Sequence, residues 1–303
     1  MVFVLNRSLG LEKRREEEFS LLSRLMRYAS FVRFSHTIFA LPFALTGALL
    51  AAQQVPLTWQ KVMLIMAAMF TARTAAMAFN RLVDARFDAK NPRTSDREIP
   101  RGVVSQSEAV FLVVAGALMF VAVCFFLSPL CFILSPLALV IIFWYSLAKR
   151  FTAYTQLYLG LALAVAPVGG WLAVGGGFGW EPWLLAVGIA MWVAGFDILY
   201  SCEDVAFDRK AGLRSIPTKF GVRRSLLISK IFHCIAVISL GALALIVPLG
   251  FVYLAGVFGV ALLLCYEQSM VTSDDLTRVK EAFDLNGWVG ILYFITTATD
   301  LYV

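Results

Sequence analysis

Residues 61–88 read KVMLIMAAMFTARTAAMAFNRLVDARFD. The part from 61 to 82 is mainly apolar, over the roughly 18–25 residues that one helical crossing of the hydrocarbon core requires. Asn80, Asp84 and Asp88 are set at its end at four-residue steps, with Arg73 seven residues before Asn80. Spacings of four and seven return to one helical face, so these side chains form a stripe that emerges at a membrane edge. A second stretch has the same plan. Its apolar run 182–203 carries Asp197 and Tyr200; Asp204 follows Asp197 by seven residues, and Asp208 follows by four more. Asp84 and Asp204 stand 120 residues apart.

The rest of the chain is of the same kind. It is 60% hydrophobic and 15% charged, with a mean hydropathy of +0.80. Soluble domains run at roughly 45–50% apolar and about 25% charged. The expectation is an all-α polytopic membrane protein with nine transmembrane helices, at 34–54, 61–82, 108–128, 130–148, 153–174, 182–203, 224–247, 250–270 and 284–302. Connections near 83–107, 148–152, 204–223 and 271–283 carry the lysines and arginines, and the alternate connections carry almost none except Lys61. Basic loops mark the cytoplasmic side, which puts the N-terminus inside, the C-terminus outside and both acidic motifs on the cytoplasmic face of the cell membrane. An odd number of spans gives the same answer. The net charge of +6 belongs to that basic face and does not call for nucleic acid.

Residues 1–33 form a cytoplasmic segment, and 34–303 the transmembrane domain. Within 11–33, charge mixes with Leu21, Leu22, Leu25, Met26 and Phe31, the pattern of an amphipathic helix lying on the membrane surface. A solvated charged tail is the alternative. The charged run Glu12 to Glu18 argues against a cleavable signal peptide. Four spans separate the motifs, consistent with a parallel duplication of about 34–150 and 153–270 followed by a ninth helix. The five cysteines are scattered through apolar runs and read as free thiols. His36 and His233 are isolated.

Hard oxygen ligands without imidazole or thiolate favour Mg²⁺ or Ca²⁺ over zinc. Mg²⁺ is usually held by one or two carboxylates plus substrate phosphates, so two facing acid sets suit a bridged diphosphate. Five aspartates and a diphosphate bring about minus eight and two Mg²⁺ return plus four, leaving a remainder for Arg97, Arg101, Lys149, Arg214 and Lys219 to balance. Tyr145 and Lys149, at i and i+4, suit a phosphate equally with an aromatic belt and a topology-setting lysine. Arg73 and Asp197 lie inside apolar runs, where each exposed charge costs roughly 2.5–3.5 kcal/mol, so they face the interior or a wet cavity; a buried ion pair between them is the plain structural alternative. Intramembrane acids also mark transport paths. A transporter of cations or organic anions is therefore the competing reading, although its acids would sit near the midplane and not at the helix ends.

These residues resemble the UbiA superfamily of intramembrane prenyltransferases. The resemblance is carried by ARTAAMAFNRLVDARFDAKNPRTSDREIPRG at 72–102, YSLAK at 145–149 and DILYSCEDVAFDRKAGLRSIPTKFG at 197–221. It implies a bundle of nine helices and two Mg²⁺ ions, one held by Asn80, Asp84 and Asp88, the other by Asp204 and Asp208 with support from Asp197. It implies that Arg33, Tyr145 and Lys149 grip the diphosphate, with Arg97 and Arg101 helping from a capping loop. Asp197, Asp84 and Asp204 are the catalytic candidates, and the proton-accepting base is open among the motif aspartates. The implied reaction is Mg²⁺-dependent transfer of a prenyl group, through an allylic carbocation, to a small aromatic acceptor. The wording NPRTSDREIPRG is most similar to 4-hydroxybenzoate polyprenyltransferases and to the enzymes of the futalosine route to menaquinone. Lipid glycerol phosphate, haem and naphthoate are the alternative acceptors.

Overall fold

A computed structural model describes Phe31, residues 40–177 and residues 179–303. Arg33, and the expected surface helix apart from Phe31, lie outside the described residues. Among residues 40–303 as described, eleven α-helices follow in order: α1 Leu41–Ala51, α2 Trp59–Asp88, α3 Gln106–Leu127, α4 Pro129–Ala148, α5 Thr155–Val174, α6 Glu181–Ser201, α7 Val205–Ala211, α8 Ile216–Phe220, α9 Val222–Ala242, α10 Phe251–Met270 and α11 Val279–Tyr302. There is no strand among the described residues.

Seven of these helices are long and apolar enough to cross a membrane: α2 to α6, α9 with its 3₁₀ continuation to Leu245, and α10. Helix α1 has 11 residues, all within the expected first span, whose described part begins at Ala40. Helix α11 has 24 residues and covers the expected ninth span. Asn286, Thr296, Thr297 and Asp300 keep it less apolar than the seven.

Neighbours along the chain pack side by side: α2 on α3, α3 on α4, α4 on α5, α5 on α6. Helix α6 then meets α9, α9 meets α10, α10 meets α11, and α11 returns to α1, which packs on α5. The outward faces of α3 and α4 present Phe111, Leu118, Phe125, Phe126, Ile133 and Val140 as exposed side chains. An apolar surface so continuous is that of a protein whose solvent there is lipid. The interior is filled by Phe43, Trp171, Trp192, Tyr253 and Tyr293. Small residues let backbones touch at the crossing of α1 and α5, where a Cβ on Gly170 would overlap the Ala44 carbonyl and one on Gly47 the Pro167 carbonyl.

Two elements carry the acidic motifs; the first keeps the expected helical stripe and the second does not. Helix α2 starts at the N-cap Thr58, whose side chain accepts the Lys61 N–H, and runs 30 residues to Asp88 without glycine or proline. At about 45 Å it overreaches a hydrocarbon core of about 30 Å, so its final turns leave the apolar layer with Asp84 and Asp88 on them. The second motif is not one helical stripe. Helix α6 ends at Ser201, and the N–H groups of Cys202, Glu203 and Asp204 bond three residues back, to Leu199, Tyr200 and Ser201. This tightened turn re-aims the chain before α7, and Asp204 sits at the N-cap of the new helix. Gly212, in left-handed conformation at φ 73°, ends α7 after two turns.

Candidate active site

The first motif is built on the last turns of α2 and the end of α4. Asp84 is 2% exposed. Its Oδ2 lies 3.2 Å from Lys149 Nζ and accepts from Asn80 Nδ2 at 3.3 Å. Its Oδ1 accepts from Arg150 Nη2 at 2.8 Å. Arg150 also donates to the carbonyls of Val83 and Ser146, at 2.7 and 2.8 Å, and stands over the Phe87 ring. One turn further on, Asp88 receives Arg97 Nη1 on both carboxylate oxygens, at 2.8 and 2.9 Å.

The loop 89–105 ties this motif to the second. Arg93 reaches Asp204 with Nε at 2.9 Å and with Nη2, donates to the Tyr200 hydroxyl and lies over the Tyr200 ring. Asn91 Nδ2 donates to the same Asp204 at 3.1 Å. The loop turns back at Gly102, φ 71°, where Val103 and Val104 N–H reach the Glu98 carbonyl. It ends at the capping box of Ser105 and Glu108 that starts α3.

Lys149 stands between the two acid sets. It pairs with Asp84 and acts electrostatically on Asp208. Burial pushes the Asp208 carboxyl up to about 6; Lys149 and Arg93 pull it back, while Asp204 and Asp84 add to the rise. Asp197, near the end of α6, lies in the field of Lys149, Asp204, Arg93 and Asp208. The two motifs, distant in sequence, thus meet in one basin with Arg93, Arg97, Lys149 and Arg150 among them.

Next to the basin lies an apolar cavity of about 440 Å³, within the size range of small-molecule sites. Arg73 and Tyr145 line it, and so do Cys124, Leu127 and Cys131 at the hairpin between α3 and α4. Tyr145 and Cys131 are 14 residues apart on α4, which makes the cavity about 21 Å deep along that helix. Leu137, Leu161 and Trp183 belong to its wall and are also exposed on the outer face of the bundle, so the cavity reaches the lipid-facing surface.

Residues 40–293 match the family described as the UbiA prenyltransferase family. The chain belongs to that family. It is 30% identical over 252 residues to a 4-hydroxybenzoate octaprenyltransferase of Vibrio campbellii, covering 81% of this chain and 86% of the relative. It is 29% identical to the enzyme of that name from Marinobacter nauticus, over 92% of this chain and 96% of the other. The apo structure of a UbiA homolog from Aeropyrum pernix K1 superposes with a TM-score of 0.81 at 37% identity, covering 88% of this chain and 98% of that one. A UbiA homolog from Archaeoglobus fulgidus, solved with DMAPP and Mg²⁺, shares the fold with a TM-score of 0.71 at 20% identity.

As a UbiA-family member the protein is a membrane-embedded prenyltransferase. Of the residues singled out in the sequence, Asn80, Asp84, Asp88, Asp197, Asp204, Asp208, Arg97 and Lys149 gather in the basin, and Tyr145 forms the cavity wall beside it. Arg101 is exposed and has no ion pair among the described residues. Arg214 donates to the Phe151 carbonyl and Lys219 to the Tyr154 hydroxyl, so both brace the α4–α5 turn instead of entering the basin. Arg93, Asn91 and Arg150 were not distinguished in advance. As basic residues beside a span, Arg93 and Arg150 are accounted for by topology alone.

The donor set suits a hard divalent cation. Among the described residues no three His, Cys, Asp or Glu side chains stand close enough to hold a metal by themselves. The oxygens of Asn80, Asp84, Asp88, Asp204 and Asp208 are of the right kind for it.

Proposed function

We propose that this protein transfers the prenyl group of a polyprenyl diphosphate to a small aromatic acceptor of the 4-hydroxybenzoate type, with Mg²⁺, in quinone biosynthesis. The observation that carries the reading is the junction of a charged basin and an apolar cavity at Tyr145 and Arg73. A diphosphate head and a hydrocarbon tail need those two environments end to end. The names of the relatives support the acceptor, and the homolog solved with DMAPP and Mg²⁺ supports the donor and the metal. The acids sit at helix ends and not near the midplane, which disfavours a transport path.

In this reading Asn80, Asp84 and Asp88 hold one Mg²⁺, and Asp204 and Asp208 the other, with Asp197 behind the second set. Bound there, Mg²⁺ would supply charge neutralisation to the departing diphosphate. Lys149, Arg93 and Arg97 face the acids from the loop and the end of α4, where each can turn from carboxylate to phosphate oxygen. Arg33 and Arg101 are proposed as outer contacts of the head group. The apolar walls of the cavity keep water from the allylic cation once the C–O bond opens. The chain is read as nine spans in two similar halves and a ninth helix, with its basic loops and N-terminus in the cytoplasm.

The test is direct. Purified protein in lipid, given Mg²⁺, labelled prenyl diphosphates of several lengths and a panel of aromatic acids, should form prenylated acceptor and pyrophosphate, with neither formed when the metal is chelated. Mass spectra showing no adduct with any acceptor would overturn the proposal.

A further inference from the structure

The helix that carries the second motif is held from behind by a buried polar network drawn from three other helices. Trp192, five residues before Asp197 on α6, donates through Nε1 to Asn286 Oδ1 at 2.7 Å. Asn286 Nδ2 donates to Glu267 Oε1 at 2.8 Å. On the next turn of α6 the Gly195 carbonyl accepts the Ser229 hydroxyl at 2.8 Å, and Ser229 accepts from Gln268 Nε2 at 2.7 Å. The same amide lies 3.0 Å from His233 Nδ1, which is 3.9 Å from Glu267 Oε2. Trp192, Ser229, His233, Glu267 and Asn286 are each at most 4% exposed. Gly195 has no side chain to spare: a Cβ there would overlap the His233 ring.

Polar groups inside apolar helices are costly and belong where they do something specific. Here they converge on residues 192–195. At 100° and 1.5 Å per residue, Asp197 lies about 3 Å along the axis from Gly195 and on the opposite face, toward the basin. The bonds therefore fix α6 in height and rotation just where its other face enters the charged site. We infer that Ser229, Gln268, Glu267 and Asn286 are positioning residues. They set the register of α6 and so place Asp197, Tyr200 and Asp204 against the first motif. The inference rests on the diphosphate reading above.

The structure contains its own control. Ser239, on the same α9, donates to the Leu184 carbonyl of the same α6 at the same 2.8 Å, but about 20 Å from Asp197 along the axis. Ser229→Ala should raise the Mg²⁺ concentration for half-maximal turnover about tenfold and lower kcat, with the acceptor KM unchanged; a misplacement of about 1 Å by a change far from the chemistry can cost about 100-fold. Ser239→Ala should match wild type in all three. A second readout needs no turnover: the Mg²⁺ titration of the melting temperature in inorganic pyrophosphate should shift for Ser229→Ala and not for Ser239→Ala. Glu267→Leu should behave as Ser229→Ala does, and Glu267→Gln, which keeps an acceptor for Asn286, should restore wild-type values. This pair carries the test if Ser229→Ala does not fold. Equal behaviour of the two serine variants, or of the two glutamate variants, in an active wild-type background overturns the inference and leaves the network as packing. A wild type with neither turnover nor stabilisation by Mg²⁺ and pyrophosphate would overturn the catalytic reading itself, and this one with it.

Discussion

Asp84 shows how much one side chain of this site is asked to do. Its two oxygens face Lys149, Arg150 and Asn80, and almost none of it meets solvent. Under the proposed function, Asp84→Ala and Asp204→Ala should each abolish Mg²⁺-dependent pyrophosphate release while the protein still inserts in the membrane; full turnover in both would sink the metal assignment. The neighbouring cations should separate by role. Lys149 makes one ion pair among the described residues, with Asp84, so Lys149→Ala should raise the KM for prenyl diphosphate more than that for the acceptor. Arg150 also holds two backbone carbonyls. Arg150→Ala should lower the stability measured by thermal unfolding, by about 1–3 kcal/mol for the buried groups it leaves without a donor. At this scale the acids were legible because carboxylates at helical spacing next to an apolar run are rare and costly. Arg93 and Arg150 were not, since a basic residue beside a span already has a sufficient explanation in membrane topology. Only the direction of the side chain separates the two cases, and spacing does not encode it.

At the scale of elements, the two motifs reach the same basin by different routes. Helix α2 delivers Asp84 and Asp88 by overrunning the membrane core, and α6 delivers Asp204 and Asp208 by breaking. Periodicity anticipated the first correctly and drew the second as a continuous stripe. The i, i+7, i+11 spacing is the same whether a helix continues or turns tightly at Cys202–Asp204, so nothing in the pattern marks the break. The loop 89–105 bridges the two elements chiefly through Arg93. Arg93→Ala should therefore raise amide hydrogen exchange across 89–104 and at 202–208, while α3 and α5 stay protected. Unchanged protection in the loop would show that its own turns suffice to hold it.

For the whole molecule, composition settled the solvent, and charge-sorted loops supplied a topology. The count was harder. Seven helices are long and apolar enough to cross, while α11 mixes in Asn286, which accepts from Trp192 inside the bundle, and Asp300, which accepts the Gly250 and Tyr253 N–H groups at the start of α10. The residues of the cavity wall were not legible: they come from six helices, α1 to α6, and apart from Arg73, Ser135 and Tyr145 each is an ordinary apolar or small one. Ala138 lies in that wall about 10 Å along α4 from Tyr145. Under the proposed function, Ala138→Phe should cut turnover of long prenyl diphosphates about tenfold or more and spare five- and ten-carbon donors. Equal losses at every length, read by product mass, would place the tail elsewhere.

The cavity has a charged basin at one end and Leu137, Leu161 and Trp183 at the lipid-facing surface along its side. Under the proposed function, the reaction at that junction would yield one product that belongs in water and another that belongs in the bilayer. Each has its own way out, in different directions. The two phases that flank the protein would then draw the fragments apart, and recombination would require both to return from opposite reservoirs. Part of the irreversibility of the step would be a property of where the site stands, and would weaken in a detergent micelle too small to act as a second phase.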